Sequence, residues 1–224
     1  MTVGRFDVSR SSIKLICFDV GGVLMRVCNS FKEGVRIAGL PLRLEDSEMI
    51  RCFEAAQEAR EQYRIAKIDA TEFSRCVSAA FGGIYSAAEV NVVMNSWVRE
   101  SYADTEPMLA ALKADGNCKV AVLSNTCSDH WRQIAACSWM KWVDYAFPSH
   151  ELGIAKPLPE AFAAVESVTQ VAVEQILFFD DTEENIAAAA QRGWDSVFIN
   201  SSGDISSQIR DALPAWAATS WRKP

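Results

Sequence analysis

The chain of 224 residues lacks several features that would have placed it quickly. Its seven cysteines, at 17, 28, 52, 76, 118, 127 and 137, contain no Cys-x-x-Cys pair. An odd, scattered set fits reduced thiols in a cytosol and argues against a disulfide framework or a zinc site. No Gly-x-Gly-x-x-Gly follows the first apolar run, which excludes a dinucleotide-binding turn. There is no long basic block, and the formal net charge is −7. Non-specific nucleic-acid binding rests on clustered Lys and Arg, so nucleic acid is excluded as a partner. No stretch reaches the ~18 apolar residues of a membrane span, and MTVGRFDVSRSS has no apolar signal region. The expectation is a cytoplasmic protein with no membrane partner.

What is present points to a packed globule: half the residues are hydrophobic and 23% are charged. Five apolar, β-branched or aromatic runs read as strands, at 13–18, 119–123, 143–147, 175–179 and 196–199. Helical patterns separate the later ones. Thr105-Glu106-Pro107 opens a helix that stops at Gly116, with Pro in the first turn and Gly just past the last. Further helices are predicted over 128–137, 159–168 and 182–192. Strands alternating with helices of this length imply right-handed βαβ units, hence an α/β fold with a doubly wound parallel sheet.

About eighty residues between the first two runs show no strand pattern. They contain helix signals instead: a long pattern over 45–65, then Asp69-Ala70-Thr71-Glu72 and Ser86-Ala87-Ala88-Glu89, each shaped like a capping box. This predicts an inserted α-helical cap over 28–102 on a core formed by 1–27 and 103–224, with 1–12 as a tail.

Three of the five strands end in polar groups: Asp19-Val20-Gly21-Gly22, Ser124-Asn125-Thr126 and Asp180-Asp181. A lone Asp after a strand is usually a turn former, Ser-Asn-Thr an ordinary helix start, and an acidic pair a favourable helix N-terminus. Their joint occurrence is harder to dismiss, because ligands bind outside the carboxyl ends of an open parallel sheet. Lys156, in Gly153-Ile154-Ala155-Lys156-Pro157, supplies a cation that an acidic protein needs for a phosphorylated ligand.

The order FDxGGV, LSNT, GxxKP, FFDDxxxN resembles the haloacid dehalogenase-like (HAD) hydrolase superfamily, and within it the phosphatase branch that includes sugar-1-phosphate phosphatases. The resemblance covers the core, and the helical insertion is similar to that superfamily's α-helical cap. It implies a Rossmann-like core and hydrolysis of a small phosphorylated metabolite through an aspartyl-phosphate. Asp19 would be the nucleophile, and Lys156 would neutralise phosphate and Asp19 together. Ser124, Asn125 and backbone N–H groups near Gly21 and Gly22 would bind the phosphoryl oxygens. Mg²⁺ would be held by Asp19, Asp181 and the Gly21 carbonyl, with Asp180 acting through a water, and Asn185 would hold the acidic loop. Tyr63 and Arg64 are candidate substrate contacts in the cap. His130 and His150 fall outside the four motifs. Trp139 and Trp142 read as packing residues, and Trp216 and Trp221 as a tail anchor or dimer contact, in a monomer or homodimer.

One position departs from the resemblance. Most phosphatases of the superfamily carry a second Asp two residues after the nucleophile, as general acid; here that residue is Gly21. Three readings follow: a phosphatase acting on easier leaving groups or using another acid, a 2-haloacid dehalogenase whose halide needs no proton, or a degenerate binding protein. The superfamily's dehalogenases lack a metal and an acidic pair, so Asp180-Asp181 weighs against the second. Nucleophile, lysine and acidic pair together weigh against the third. A phospho-acceptor receiver domain would place its acidic pair on the first strand, the reverse of the order here.

Overall fold

The computed structural model describes residues 12–214. Seven strands occur among the described residues: β1 Leu15–Phe18, β2 Met25–Val27, β3 Val98–Ser101, β4 Lys119–Ser124, β5 Tyr145–Pro148, β6 Ile176–Asp180 and β7 Asp195–Phe198. Five of them form a parallel sheet in the order β5-β4-β1-β6-β7. All four residues of β1 are buried. A strand covered on both faces has no polar side to alternate with, which is why the run reads as continuously apolar.

Successive residues of β1 point to opposite faces. Ile16 and Phe18 enter one core, where Phe18 stacks on Phe179 with ring centroids 5.2 Å apart. That core is closed by α6 (Thr105–Asp115), through Leu109 and Leu112, and by α11 (Ile205–Ala212), through Ile205 and Ile209. Leu15 and Cys17 enter the other, closed by α9 (Pro159–Thr169) and α10 (Glu183–Gln191) through Phe162, Val165 and Ala189. The result is a three-layer α/β/α arrangement. β1 is central, and the chain winds outward to β4 and β5 on one side and to β6 and β7 on the other. The switch in winding direction is therefore at β1, between β4 and β6.

Between β2 and β3 lie α1 (Phe31–Ile37), α2 (Asp46–Ala55), α3 (Gln57–Arg64), α4 (Ala70–Ala80) and α5 (Ala87–Asn95). They surround a separate apolar cluster that includes Phe31, Phe73, Val77, Phe81 and Tyr85. Ser86 caps α5 reciprocally: its hydroxyl accepts from Glu89 N, and Glu89 Oε2 accepts from Ser86 N at 2.9 Å. Asp69 caps α4 through Glu72 N at 2.8 Å, while Glu72 turns its own carboxylate to Arg75.

Two sequence expectations change here. The 45–65 pattern is two helices, because the chain leaves helical geometry at Ala56 (φ −91°, ψ 12°). The stretch read as free of strands contains β3, which pairs antiparallel with β2 in a small ribbon. With three and four residues, half exposed and broken by a register shift, the ribbon is too short for a period-2 signal. Among the described residues no helix is long and apolar enough to cross a membrane, and all seven cysteines are free. Trp139 is buried, with Nε1 on Ser101 Oγ at 2.8 Å, and Trp142 packs against the same core. Trp216 and Trp221 lie outside the described residues.

Candidate active site

β1, β4 and β6 are adjacent, so the polar groups after them share one rim. Asp19 follows β1, Ser124 ends β4 and Asp180 ends β6. Lys156, 1% exposed, reaches into this rim before α9. Its Nζ donates to Asp19 Oδ1 at 2.7 Å and to Asp180 Oδ2 at 2.6 Å, and sits 5.3 Å from the Phe178 ring centroid. Asp180 is fully buried and its oxygens are occupied. Oδ1 accepts from Thr182 N at 2.8 Å and from Asn185 Nδ2 at 3.1 Å, while Oδ2 accepts from Asn185 Nδ2 at 3.0 Å besides Lys156. Asn185, in the first turn of α10, thus ties that helix to Asp180.

Asp19, Asp180 and Asp181 each offer a carboxylate oxygen within 4.8 Å of the others. Three carboxylates face one ammonium, and burial with the neighbouring negative charge raises two of them. Burial raises Asp19 to about 7, with Asp180 and Asp181 adding to the rise and Lys156 opposing it. Asp181 is raised as well, by burial first and then by Asp180. Lys156 stays protonated despite burial because two carboxylates face it.

The glycines have separate tasks. Gly22 has φ +80°, and a Cβ there would lie 2.1 Å from Asp181 Oδ2, so only glycine lets Asp181 approach the turn. Its N–H donates to Met25 O at 2.8 Å. The expectation that this N–H serves a phosphoryl group is therefore corrected: the turn closure has taken it. The Gly21 carbonyl accepts no hydrogen bond among the described residues. A Cβ on Gly21 would meet the Val27 side chain at 3.2 and 3.4 Å. A side chain at 21 would therefore start in close contact with an apolar group from β2.

Asn125 is likewise reassigned. Its Nδ2 donates to Lys156 O at 2.8 Å and its Oδ1 accepts from Lys156 N at 2.9 Å. The side chain expected on phosphate instead fastens the lysine's backbone. Ser124, at the end of β4, is buried at 5% exposed.

The cap candidates are tied down. Tyr63 Oη donates to Asp129 Oδ2 at 2.8 Å, in α7 (Ser128–Ala135). Arg64 pairs with Glu61, and its carbonyl accepts from Ser149 Oγ at 2.5 Å. Ser149, which opens α8 (Ser149–Leu152), was missed from the sequence. Its buried hydroxyl also accepts from Thr126 N at 2.9 Å, joining α3 to the segment after β4. The available signal was a hydroxyl just past a strand, at the one strand end where it stood alone. His150 lies 3.8 Å from Glu151, and His130 Nε2 lies 2.8 Å from Met94 O. Neither joins the carboxylate cluster.

A family model described as haloacid dehalogenase-like hydrolase matches residues 13–193. A curated relative, Phosphatase MT3486 of Mycobacterium tuberculosis (strain CDC 1551 / Oshkosh), is 30% identical over 116 residues. That match spans 51% of this chain and about half (51%) of the relative. Among solved structures, the HAD family enzyme bt-2542 of Bacteroides thetaiotaomicron is 23% identical with a TM-score of 0.70, over 88% of this chain and 98% of that one. The same enzyme has been crystallised with magnesium and inorganic phosphate; that complex has a TM-score of 0.66 at 22% identity, over 87% and 98%. L-2-haloacid dehalogenase of Xanthobacter autotrophicus, with chloropropionic acid covalently bound, gives a TM-score of 0.61 at 19% identity, over 84% and 77%. The core order β5-β4-β1-β6-β7 and the match over most of the chain lead to one conclusion: this chain belongs to the haloacid dehalogenase-like hydrolase family.

Proposed function

We propose that the protein is a Mg²⁺-dependent phosphatase that cleaves a small phosphorylated metabolite, with sugar 1-phosphates as the preferred class. The observation that carries this reading is the convergence of Asp19, Asp180 and Asp181, at the ends of the adjacent strands β1 and β6, on Lys156 from the loop before α9. A dehalogenase's carboxylate substrate and halide product do not call for three clustered carboxylates, whereas a divalent cation does. The oxygen-rich donor set fits Mg²⁺, which takes carboxylate and carbonyl oxygens. Asp19, Asp181 and the Gly21 carbonyl would hold it, with Asp180 committed to Lys156 and Asn185 and acting at one remove. When bound, Mg²⁺ neutralises charge on the phosphoryl oxygens and on the carboxylates around it.

The chain's own groups divide the rest of the work. Asp19 Oδ2, the oxygen not engaged by Lys156, attacks phosphorus and the P–O bond to the leaving group breaks, giving an aspartyl-phosphate that water hydrolyses. Lys156 offsets the negative charge of nucleophile and phosphoryl group, and the Ser124 hydroxyl donates to a phosphoryl oxygen. Asn125 and Asn185 keep Lys156 and Asp180 in place. Residues 28–102 act as the cap that covers the site, and the compartment is the cytoplasm. The relative named a phosphatase and the bt-2542 complex with magnesium and phosphate support this reading. The test is phosphate release from a panel of esters with Mg²⁺ and after chelation, alongside halide release from 2-haloacids. Halide release without metal would replace this reading with the dehalogenase one.

A further inference from the structure

Ser149 opens α8 without capping it, for that helix starts after Pro148 with no side-chain hydrogen bond at its N-cap. Serine favours helix starts because its hydroxyl can satisfy the free N–H groups of the first turn. Here the hydroxyl, on a residue 1% exposed, is spent on two segments distant in sequence. It accepts from Thr126 N at 2.9 Å, and it has one hydrogen to give. Arg64 O, at the end of α3, stands at 2.5 Å and Thr126 O at 3.1 Å, so the shorter contact to Arg64 takes it. One buried hydroxyl thus joins the inserted helices to the segment that follows β4.

Both ends of this link are fixed. On the insertion side, α3 closes with Ala66 in the left-handed region at φ +56°. Ala66 N donates to Tyr63 O at 3.1 Å and Lys67 N to Gln62 O at 2.8 Å, the Schellman pattern. Those two carbonyls are satisfied within the helix end, which leaves the next one, Arg64 O, to Ser149. Tyr63 secures the same turn, by stacking on Phe73 with centroids 4.5 Å apart and by donating to Asp129. On the core side, β4 and β5 pair with Ser124 opposite Pro148, which carries Ser149 to the level of residues 125–126. Thr126 is 5% exposed, so its N–H depends on the Ser149 hydroxyl. The residue before it, Asn125, grips the Lys156 backbone at 2.8 and 2.9 Å, and Lys156 Nζ meets Asp19 at 2.7 Å.

We propose that Ser149 is a positioning residue: it sets residues 125–126, and through Asn125 the Lys156 backbone, by reference to the last turn of α3. The inference rests on the phosphatase reading above and divides the site it describes. Asp19, Asp181 and the Gly21 carbonyl, the groups for Mg²⁺, follow β1 and β6 and lie outside the link. Lys156, which acts on the phosphoryl group, is held by it. Loss of the Ser149 hydroxyl therefore loosens the phosphate side of the site and spares the metal side.

The test compares Ser149→Ala with the wild-type protein, both assayed well below their Tm. The kcat and the affinity for inorganic phosphate in the presence of Mg²⁺ should each fall about tenfold, the scale of one lost buried hydrogen bond. Affinity for Mg²⁺ alone, read by calorimetric titration, should stay within about twofold. In an Asn125→Ala background the same change should cost less than about threefold in kcat, because the route to Lys156 is already cut. Equal losses of Mg²⁺ and phosphate affinity would mean general loosening, and an undiminished loss in the double variant would mean that Ser149 acts by another route; either overturns the proposal. A second measurement needs no variant. The Thr126 amide of the wild-type protein, followed by NMR, should exchange with solvent as slowly as the β4 amides, and exchange at the rate of an exposed loop amide overturns the proposal. That measurement uses neither turnover nor phosphate, so failure of the phosphatase reading and failure of this inference are told apart.

Discussion

Lys156 holds two buried carboxylates at 2.7 and 2.6 Å while itself sealed from solvent. Removing one partner of such a set leaves uncompensated buried charge, at a cost of about 3–5 kcal/mol. Lys156→Met should therefore lower the unfolding free energy of the metal-free protein, read from urea denaturation, by that much, and an unchanged value would show the charges are not confined as described. Asp19→Asn nearly preserves shape while removing the nucleophile; turnover should fall by at least about 10³-fold in a folded protein, judged by circular dichroism and single-turnover kinetics.

The titration of Asp19 gives a further test at this scale. Its carboxyl is raised from 3.8 to about 7, so between those values the folded state keeps a proton that the unfolded state has released. That contribution to stability is full below the lower value and is lost as pH rises through about 7. A cation needs the ionised form, so the rise in Tm on adding Mg²⁺ should grow between pH 5 and 8. A pH-independent rise would place the metal away from Asp19. Gly22→Ala should weaken Mg²⁺ binding by about tenfold or more, because the new methyl displaces Asp181 and the positive φ disfavours any side chain; calorimetric titration reads it directly.

Asp19, Ser124, Lys156, Asp180, Asp181 and Asn185 were legible in the sequence because each is polar where an apolar run ends or a helix begins. The assignments of Gly22 N–H and Asn125 were not, because their partners, Met25 O and the Lys156 backbone, are set by how loops meet in space.

At the level of elements, β1, β4 and β6 were readable because burial on both faces leaves a continuous apolar run, while β2 and β3 were not, being short and half exposed. The break between α2 and α3 was also hidden, since Ala56 carries no Gly or Pro to mark it. Asn125 shows how one element depends on another: its amide joins the segment after β4 to the loop before α9, 31 residues away. Asn125→Ala should cost about 1–3 kcal/mol through the lost pair of hydrogen bonds, and kcat should fall with it because Lys156 is no longer held. Measured together, a drop in Tm with undiminished kcat would show that the lysine is positioned by something else.

For the whole molecule, the parts combine into a claim about the reaction. The acid position beside the nucleophile is glycine, and a side chain there would start in close contact with Val27. A leaving oxygen that receives no proton from that position departs with negative charge, and general acid assistance is worth ~10²–10⁴-fold. With the chemical step isolated, aryl and anomeric sugar phosphates should outrun alkyl phosphates of similar size; a flat series would mean that the cap or a water supplies the proton.

The most direct test of the central claim is phosphate release by the wild-type protein from p-nitrophenyl phosphate and a sugar 1-phosphate, measured with Mg²⁺, after exhaustive chelation, and after Mg²⁺ is restored. Turnover that disappears with the metal and returns with it is the expected result. Hydrolysis that continues unchanged after chelation would contradict it.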